Sequence, residues 1–129
     1  MSDIIGTISG LKGLVSLNGV SKDAISSAEQ ALSLSFAQDF KTYLEKYGVI
    51  SARHIELTGI TDSKRLNVVD VTLAIRKNNQ FSQDLYVIED TGIEGIFILQ
   101  NASGQIFELQ NQNQIKKTND SLSDYLLSK

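Results

Sequence analysis

His54 and Glu56 form the pair of residues with the clearest potential for metal binding or acid–base chemistry, since His54 is the single histidine of the chain. On a strand the two side chains would project from one face. A zinc deaminase also needs a cysteine pair, and the sequence contains no cysteine. A serine hydrolase would need His54 as its base, yet no G-x-S-x-G elbow is present. We therefore expect His54 to be a surface residue near the end of an element.

Asp90-Thr91-Gly92 is the second pattern with a chemical precedent. The triplet resembles the active site of retroviral-type aspartic proteases, where two carboxylates of a homodimer share a proton. Those proteases are nearly all β and place the triplet early in the chain. They also need a later hydrophobic-hydrophobic-glycine motif, whereas Ile98-Leu99 is followed here by Gln100. We favour the alternative, a turn between two strands in which Asp and Gly have ordinary turn roles.

Phosphate-binding and base-stacking patterns are also missing from the sequence. Gly6, Gly10 and Gly13 precede none of the residues that a Walker or Rossmann loop requires. The aromatic residues of the segment 36–47 follow a helical stripe rather than the alternation of a base-stacking strand. The sequence therefore predicts no catalytic residue, no metal site and no cofactor, and we expect a protein that is not an enzyme.

The charge of the chain is mildly acidic and unevenly distributed. The 129 residues include 12 Lys and Arg against 15 Asp and Glu, a net charge of −3. No Lys or Arg lies between Asn78 and Ile115, and the carboxylates of this acidic block are Asp84, Glu89, Asp90, Glu94 and Glu108. A basic surface for nucleic acid is difficult to place there, whereas an acidic surface for a basic protein is easier to place. Solvated strand faces that simply carry carboxylates are the alternative.

Length and composition predict one domain that spans residues 1–129. Hydrophobic residues at 41% and charged residues at 21% are ordinary values for a globular protein. No apolar run approaches the roughly 18 residues of a membrane span. Residues 1–15 lack the basic segment and the small-residue cleavage site of a secretory signal. We therefore expect a cytoplasmic protein without membrane contact.

The first half of the chain shows helical spacing. Apolar residues over 4–17 predict a short helix, and Ser21 is placed to cap a second one. Ser35 and Gln38 stand in capping-box relation and predict a third helix from Phe36 that ends before Gly48. Residues 49–60 are predicted to be extended. Residues 66–77 have strand propensity, yet the spacing of their apolar residues favours a helix, which we predict.

The second half shows strand-like runs. Residues 85–88 and 95–99 are near-continuous apolar segments, typical of strands that are covered on both faces. Residues 105–109 predict a third strand after a turn at 101–104, and residues 110–114 predict a loop. Ser121 then caps a last short helix. This order predicts an α+β fold, in which N-terminal helices and a short C-terminal helix pack on an antiparallel or mixed sheet.

Residues 25–48 resemble the signature of the SUKH (SMI1/KNR4) superfamily. The matching positions are Ile25, Glu29, Leu32, Leu34, Phe40, Leu44, Tyr47 and Gly48. Residues 96–99 and 104–107 are similar to the family's hairpin, an apolar strand followed by G-x-V-Y, and residues 121–126 to its closing helix. Ser35 stands where the family usually has proline, and serine is itself a competent helix cap.

The resemblance implies a SUKH-like domain that binds another protein. SUKH members of the immunity type neutralise polymorphic toxins, very often nucleases, and the superfamily also includes regulatory scaffold proteins. We therefore expect an immunity protein that blocks a cognate toxin domain by direct contact. A regulatory SMI1/KNR4-like protein-binding module is the alternative.

The acidic block suggests where such a partner would bind. A nuclease cleft is usually basic because it holds phosphates, and carboxylates on an inhibitor steer its association with such a cleft. Three carboxylates of the block surround Thr91-Gly92, where we expect side chains to project freely. The predicted partner-binding residues are Glu89, Asp90 and Glu94, with Glu56 and Asp62 as further candidates.

Overall fold

The computed structural model describes residues 3–129, which form five helices and seven strands. The helices are α1 (Ile4–Ser9), α2 (Lys22–Leu32), α3 (Gln38–Tyr47), α4 (Val68–Arg76) and α5 (Leu122–Leu127). The strands are β1 (Val15–Ser16), β2 (Ile50–Ala52), β3 (Ile55–Glu56), β4 (Tyr86–Asp90), β5 (Phe97–Gln100), β6 (Ile106–Gln110) and β7 (Gln114–Asn119).

The strands form two antiparallel sheets rather than the one sheet that the sequence predicted. The smaller sheet has the order β1-β2-β3, and the larger sheet has the order β4-β5-β6-β7. Neighbouring strands in both sheets run antiparallel. A parallel bridge outside the named strands joins Gly59 to Asn67. The α+β class is therefore confirmed.

The first helix is shorter than the spacing over residues 4–17 predicted. Asp3 begins it, because its Oδ1 accepts the Gly6 N–H at 3.1 Å, and the helix ends at Ser9. Gly13 then adopts a φ of 71°, a conformation that residues with a Cβ disfavour. The prediction is wrong beyond Ser9 because the chain turns there and continues into β1.

Serine caps begin two helices where the sequence predicted them. The Ser21 Oγ accepts the Ala24 N–H at 3.1 Å, and the Ser121 Oγ accepts the Asp124 N–H at 3.1 Å. Each bond satisfies one of the N–H groups that a helix leaves unpaired in its first turn. The starts of α2 and α5 are therefore confirmed.

Helix α3 begins at Gln38, two residues later than the capping-box pattern predicted. The Phe36 N–H instead donates to the Glu29 Oε2 at 2.8 Å. The Ala37 N–H donates to the Tyr86 hydroxyl at 2.9 Å. The predicted cap is wrong, because the Ala37 N–H that Ser35 could have accepted is taken by Tyr86 of β4.

The apolar stripe of α3 lies in the centre of the molecule, as predicted. Phe40 and Leu44 of α3, together with Phe36 just before it, are buried in one cluster with residues of the larger sheet. The Phe40 ring lies 5.1 Å from the Phe36 ring and 5.1 Å from the Tyr86 ring, measured between centroids. Edge-on and tilted contacts at this distance stabilise aromatic clusters beyond their burial.

Residues 49–60 contain a hairpin rather than one extended passage. Strands β2 and β3 pair through Ala52 and Ile55, with Arg53-His54 as the two-residue turn. The helix predicted over residues 66–77 is confirmed as α4, in spite of its valines.

The larger sheet is buried on both faces. One face contributes Tyr86, Ile88, Ile98 and Ile106 to a cluster that also contains side chains of α1, α2, α3 and α5. The other face contributes Val87, Leu99 and Leu109, which pack against Val71 and Ile75 of α4. Helix α4 therefore covers the face that the other helices leave open, which explains the continuous apolar runs in the sequence.

Strand β7 was missed, because residues 110–114 were predicted as a loop and nothing indicated a strand after them. Every residue of β7 except Asn119 is exposed, and the strand pairs with β6 at the edge of the sheet. Lys116 and Lys117 lie in its middle. A charged edge strand with no apolar alternation carries little sequence signal, and lysine at an edge opposes unwanted pairing.

Candidate protein-binding site

The turn between β4 and β5 is held by the side chains of its own residues. The Asp90 Oδ1 accepts the Gly92 N–H at 3.0 Å. The Thr91 Oγ1 accepts the Ile93 N–H at 3.2 Å and donates to the Ile96 carbonyl at 2.8 Å. The prediction that Asp90-Thr91-Gly92 forms a turn is therefore confirmed, and Asp90 acts there as a local acceptor.

The tip of this turn presents one apolar side chain between two carboxylates. Ile93 is 61% exposed, and both Asp90 and Glu94 are exposed. Neither carboxylate takes part in an ion pair among residues 3–129. We refer to residues 90–95 as the acidic turn. Its exposed isoleucine was not identified from the sequence, because the length of a turn does not reveal which of its residues point outwards.

Glu89 is buried, so the expectation that its side chain projects freely is wrong. Its exposed fraction is 5%. The cause is a β-bulge, since Val87 pairs with Leu99 but Glu89 pairs with Ile98, which leaves Ile88 as an extra residue. The bulge places both Ile88 and Glu89 in the interior, although alternation would have separated them.

The buried Glu89 carboxylate accepts hydrogen bonds from two other elements. Its Oε2 accepts the Glu56 N–H at 3.0 Å, and its Oε1 accepts the Tyr125 hydroxyl. The Lys129 Nζ lies 3.9 Å from the Oε1. Burial and, secondarily, the bond to Glu89 raise the pKa of Tyr125 well above its usual value. Glu89 therefore joins β4 to β3 and α5.

A groove of about 500 Å³ lies between the β2–β3 hairpin and the acidic turn. We call it the central groove; Glu56, Glu89 and Asp90 are among its lining residues, together with His54 and Arg65. The Arg65 Nη1 donates to the Glu56 Oε1 at 2.6 Å. This bond and the charge of Glu56 raise the pKa of Arg65. Glu56 is therefore already paired at the surface.

The other two candidates lie outside the central groove. Asp62 is exposed in the segment that connects β3 to α4, and Glu94 is exposed in the acidic turn. The structure thus brings Glu56, Glu89 and Asp90 together and leaves Asp62 and Glu94 apart from them. Of the five, Asp90, Glu94 and Asp62 have exposed carboxylates without an ion pair among the described residues.

His54 is exposed in the turn of the β2–β3 hairpin. The prediction that it is a surface residue near the end of an element is therefore confirmed. His54 lies outside the strands, since β3 begins at Ile55, so the condition under which His54 and Glu56 would share a strand face is not met. Among residues 3–129, no group of three or more Asp, Glu or His side chains is arranged to hold a metal ion. The absence of a catalytic role or a cofactor stays a prediction.

A second groove on the far side of His54 was not predicted. It has a volume of about 380 Å³ and an apolar floor that includes Leu11, Ile55 and Leu126. Its lining residues include Lys12, Arg53, His54 and Lys129 but no Asp or Glu. We call it the basic groove. The four basic side chains come from three separate parts of the chain, so no sequence pattern connects them.

Comparison with known proteins identifies the family. The family model SUKH_5, described as SMI1-KNR4 cell-wall, matches residues 1–129. The chain belongs to this SUKH family. A crystal structure of a protein from Pseudomonas syringae pv. tomato matches the SUKH domain with a TM-score of 0.76 and 14% identity, over 95% of this chain and 92% of that one. At this identity the likeness shows the fold. No curated protein matches the sequence.

Two residues of the SUKH signature have structural roles in this domain. Glu29 holds the Phe36 N–H before α3, and Gly48 has a φ of 71° at the end of α3. Membership fits an immunity protein or an SMI1/KNR4-like protein. No helix within residues 3–129 has the length and apolarity to span a membrane.

Proposed function

We propose that this SUKH domain is an immunity protein that binds a cognate polymorphic toxin and blocks it by direct contact. The toxin is proposed to be a nuclease whose basic surface meets the acidic turn. The observation that carries the proposal is the exposed Ile93 between Asp90 and Glu94, two carboxylates that form no ion pair within residues 3–129. The family of the chain supports a protein partner.

The acidic turn has the layout of a binding hot spot. Apolar side chains at the centre of an interface supply most of its affinity, while charges around them steer association and select partners. Ile93 would be the apolar anchor, and Asp90 and Glu94 would be its charged neighbours. Asp62 and the Glu56–Arg65 pair would lie at the edge of the contact.

The turn is also preorganised, which lowers the entropic cost of binding. Thr91 holds the turn through hydrogen bonds to both Ile93 and Ile96. Below it, Glu89 fixes the end of β4 to β3 and α5. A rigid loop loses little conformational freedom when it binds, so more of the contact energy remains as affinity.

Co-expression with the toxin tests the proposal. The toxin domain encoded directly upstream of this chain should stop growth of a host cell, and wild-type chain should restore growth. Ile93→Asp should reduce the protection because it replaces the apolar anchor by a carboxylate. Leu73→Asp, at a position on α4 that is 41% exposed, is the matched control and should protect as wild type does.

Two results would contradict the proposal. Protection by Ile93→Asp equal to that by wild type would show that the toxin binds elsewhere. A gene neighbourhood with no toxin gene, together with no protection against any co-expressed nuclease toxin, would contradict the immunity function itself.

A further inference from the structure

The acidic turn and the basic groove lie on either side of the central groove. Asp90, Thr91 and Gly92 of the turn line the central groove on one side. Arg53 and His54 line it on the other side and also line the basic groove. The β2–β3 hairpin is therefore a wall shared by the two grooves, and the two surfaces of opposite charge are neighbours.

The charges of both surfaces are available for an intermolecular contact. Lys12, Arg53 and His54 take part in no ion pair among residues 3–129, and the same is true of Asp90 and Glu94. Lys129 is engaged within the chain, with its Nζ 5.0 Å from the centre of the Tyr125 ring and 3.9 Å from Glu89. Two cations, Lys12 and Arg53, thus remain at the basic groove, opposite in sign to the net charge of −3.

The apolar parts of the two surfaces are complementary as well. Ile93 is 61% exposed at the tip of the acidic turn, and Leu127, which lines the basic groove, is 70% exposed. The floor of that groove is formed by Leu11, Ile55 and Leu126. Ile55 and Leu126 are already buried, so the apolar area that the contact removes from water comes mainly from Ile93 and Leu127, at about 25 cal/mol for each Å².

We propose that the domain forms a closed two-fold dimer, in which the acidic turn of each copy inserts Ile93 into the basic groove of the other. Asp90 and Glu94 of one copy then face Lys12 and Arg53 of its partner. In a two-fold dimer each surface of one copy contacts the complementary surface of the other, so both must lie on one side of the molecule. We place both surfaces on one side of the molecule and the two-fold axis at the central groove, since Arg53 and His54 adjoin both surfaces.

The proposed dimer goes beyond the proposed function and depends on none of its partners. It uses the acidic turn that the toxin would contact, so the dimer and the toxin complex exclude each other. A monomeric protein would refute the dimer and leave the immunity function untouched. Conversely, a dimer would remain if no toxin were found.

Sedimentation equilibrium with charge-swapped variants tests the dimer. Wild-type protein is measured up to roughly 1 mM at low salt, together with Glu94→Lys and Arg53→Glu. Wild type should reach a dimer and no larger species, and each variant should weaken the dimer by about tenfold or more. Mixing the two variants should restore dimers that contain one copy of each. In such a dimer Lys at position 94 of one copy faces Glu at position 53 of the other, and the second contact keeps the wild-type pair of Glu94 and Arg53.

Matched controls separate local contacts from net charge. Asp23→Lys and Lys116→Glu reverse exposed charges on α2 and on β7, and both should dimerise as wild type does. The Arg53 N–H donates to the Lys12 carbonyl at 3.0 Å, a backbone bond that Arg53→Glu retains. Thermal midpoints of Glu94→Lys, Arg53→Glu and Lys116→Glu should match that of wild type, whereas Asp23→Lys should lower it slightly because it puts a cation in the first turn of α2.

Several outcomes would overturn the dimer. These are wild-type protein that stays monomeric at low salt, a mixture of the two variants that does not associate, and assembly that continues beyond two copies. Binding of a single-stranded oligonucleotide that is lost in Arg53→Glu, with the protein monomeric throughout, would assign the basic groove to nucleic acid instead.

Discussion

The Oε2 of Glu89 accepts the backbone N–H of Glu56 at 3.0 Å, which joins the edge of the larger sheet to the smaller sheet. Thr58 reinforces this junction, since its N–H donates to the Ile88 carbonyl at 2.8 Å and its Oγ1 donates to the Val87 carbonyl at 2.8 Å. The acidic turn begins one residue after Glu89. The buried carboxylate therefore supports the surface that we propose for binding.

Replacing Glu89 should destabilise the fold although the residue belongs to the acidic block. Glu89→Ala leaves the Glu56 N–H and the Tyr125 hydroxyl without their acceptor, and we expect a loss of about 2–4 kcal/mol in the free energy of unfolding. Urea denaturation measures it. Glu94→Ala removes an exposed carboxylate nearby and should change the stability by less than about 0.5 kcal/mol. Equal urea midpoints for the two variants would show that the Glu89 contacts contribute nothing.

Truncation of the central aromatic residue of α3 should be equally severe. Phe40 is fully buried between Phe36 and Tyr86, so Phe40→Ala should cost about 3–5 kcal/mol. Leu127→Ala is the control, because Leu127 is 70% exposed and its removal creates no cavity. An unchanged urea midpoint for Phe40→Ala would contradict the helix-on-sheet packing.

Stability should fall steeply in alkaline solution. Burial raises the pKa of Tyr43, Tyr86 and Tyr125 above the usual value of about 10. Below pH ~10 these hydroxyls are protonated in both states and add no pH dependence. Above it the unfolded chain loses the protons that the folded chain retains, so each tyrosine removes about 1.4 kcal/mol per pH unit.

Tyrosinate absorbance and urea midpoints at rising pH measure this effect. The tyrosinate absorbance of Tyr43, Tyr86 and Tyr125 should appear together with unfolding, and not before it. Ionisation of all four tyrosines near pH 10 in a protein that keeps its far-UV circular dichroism would contradict the burial.

The sequence predicted the elements that are fixed by contacts between residues close together in the chain, and it failed where the contacts join distant residues. Ser21 caps α2 through a bond to Ala24, three residues away, and this start was predicted correctly. The start of α3 was predicted wrongly because the Ala37 N–H is taken by Tyr86, which is 49 residues away. Local patterns record the first kind of contact and carry no trace of the second.

The candidate site shows the same division. The turn at Asp90-Thr91-Gly92 was predictable because its side chains form hydrogen bonds with backbone N–H groups only two residues away. The burial of Glu89 was not, since it depends on a bulge at Ile88 and on the distant Tyr125. The basic groove has no local signal either, because Lys12 and Arg53 meet only in the folded chain.

The start of the C-terminal helix should depend on a distant aspartate. Asp39 accepts the Leu122 N–H at its Oδ2 and the Gln100 Nε2 at its Oδ1, each at 3.0 Å. Asp39→Ala should therefore speed hydrogen exchange of the Leu122 amide by about tenfold or more, which native-state exchange followed by NMR measures. Asp23→Ala, in the first turn of α2, is the control and should leave that amide unchanged. Equal exchange rates in both variants would show that Asp39 does not hold α5.

The most direct test of the proposed function is the association rate constant for the chain and its cognate toxin domain. Asp90→Asn with Glu94→Gln removes both charges of the acidic turn, and asparagine retains the oxygen that accepts the Gly92 N–H. Asp23→Asn with Glu45→Gln makes the same change in net charge on exposed helix surfaces and serves as control.

Stopped-flow measurements should show association about tenfold slower for the turn variant at low salt, with rates that converge towards wild type at high salt. The control pair should associate as wild type does. Equal rates for wild type and the turn variant at low salt would contradict the acidic turn as the toxin-binding surface.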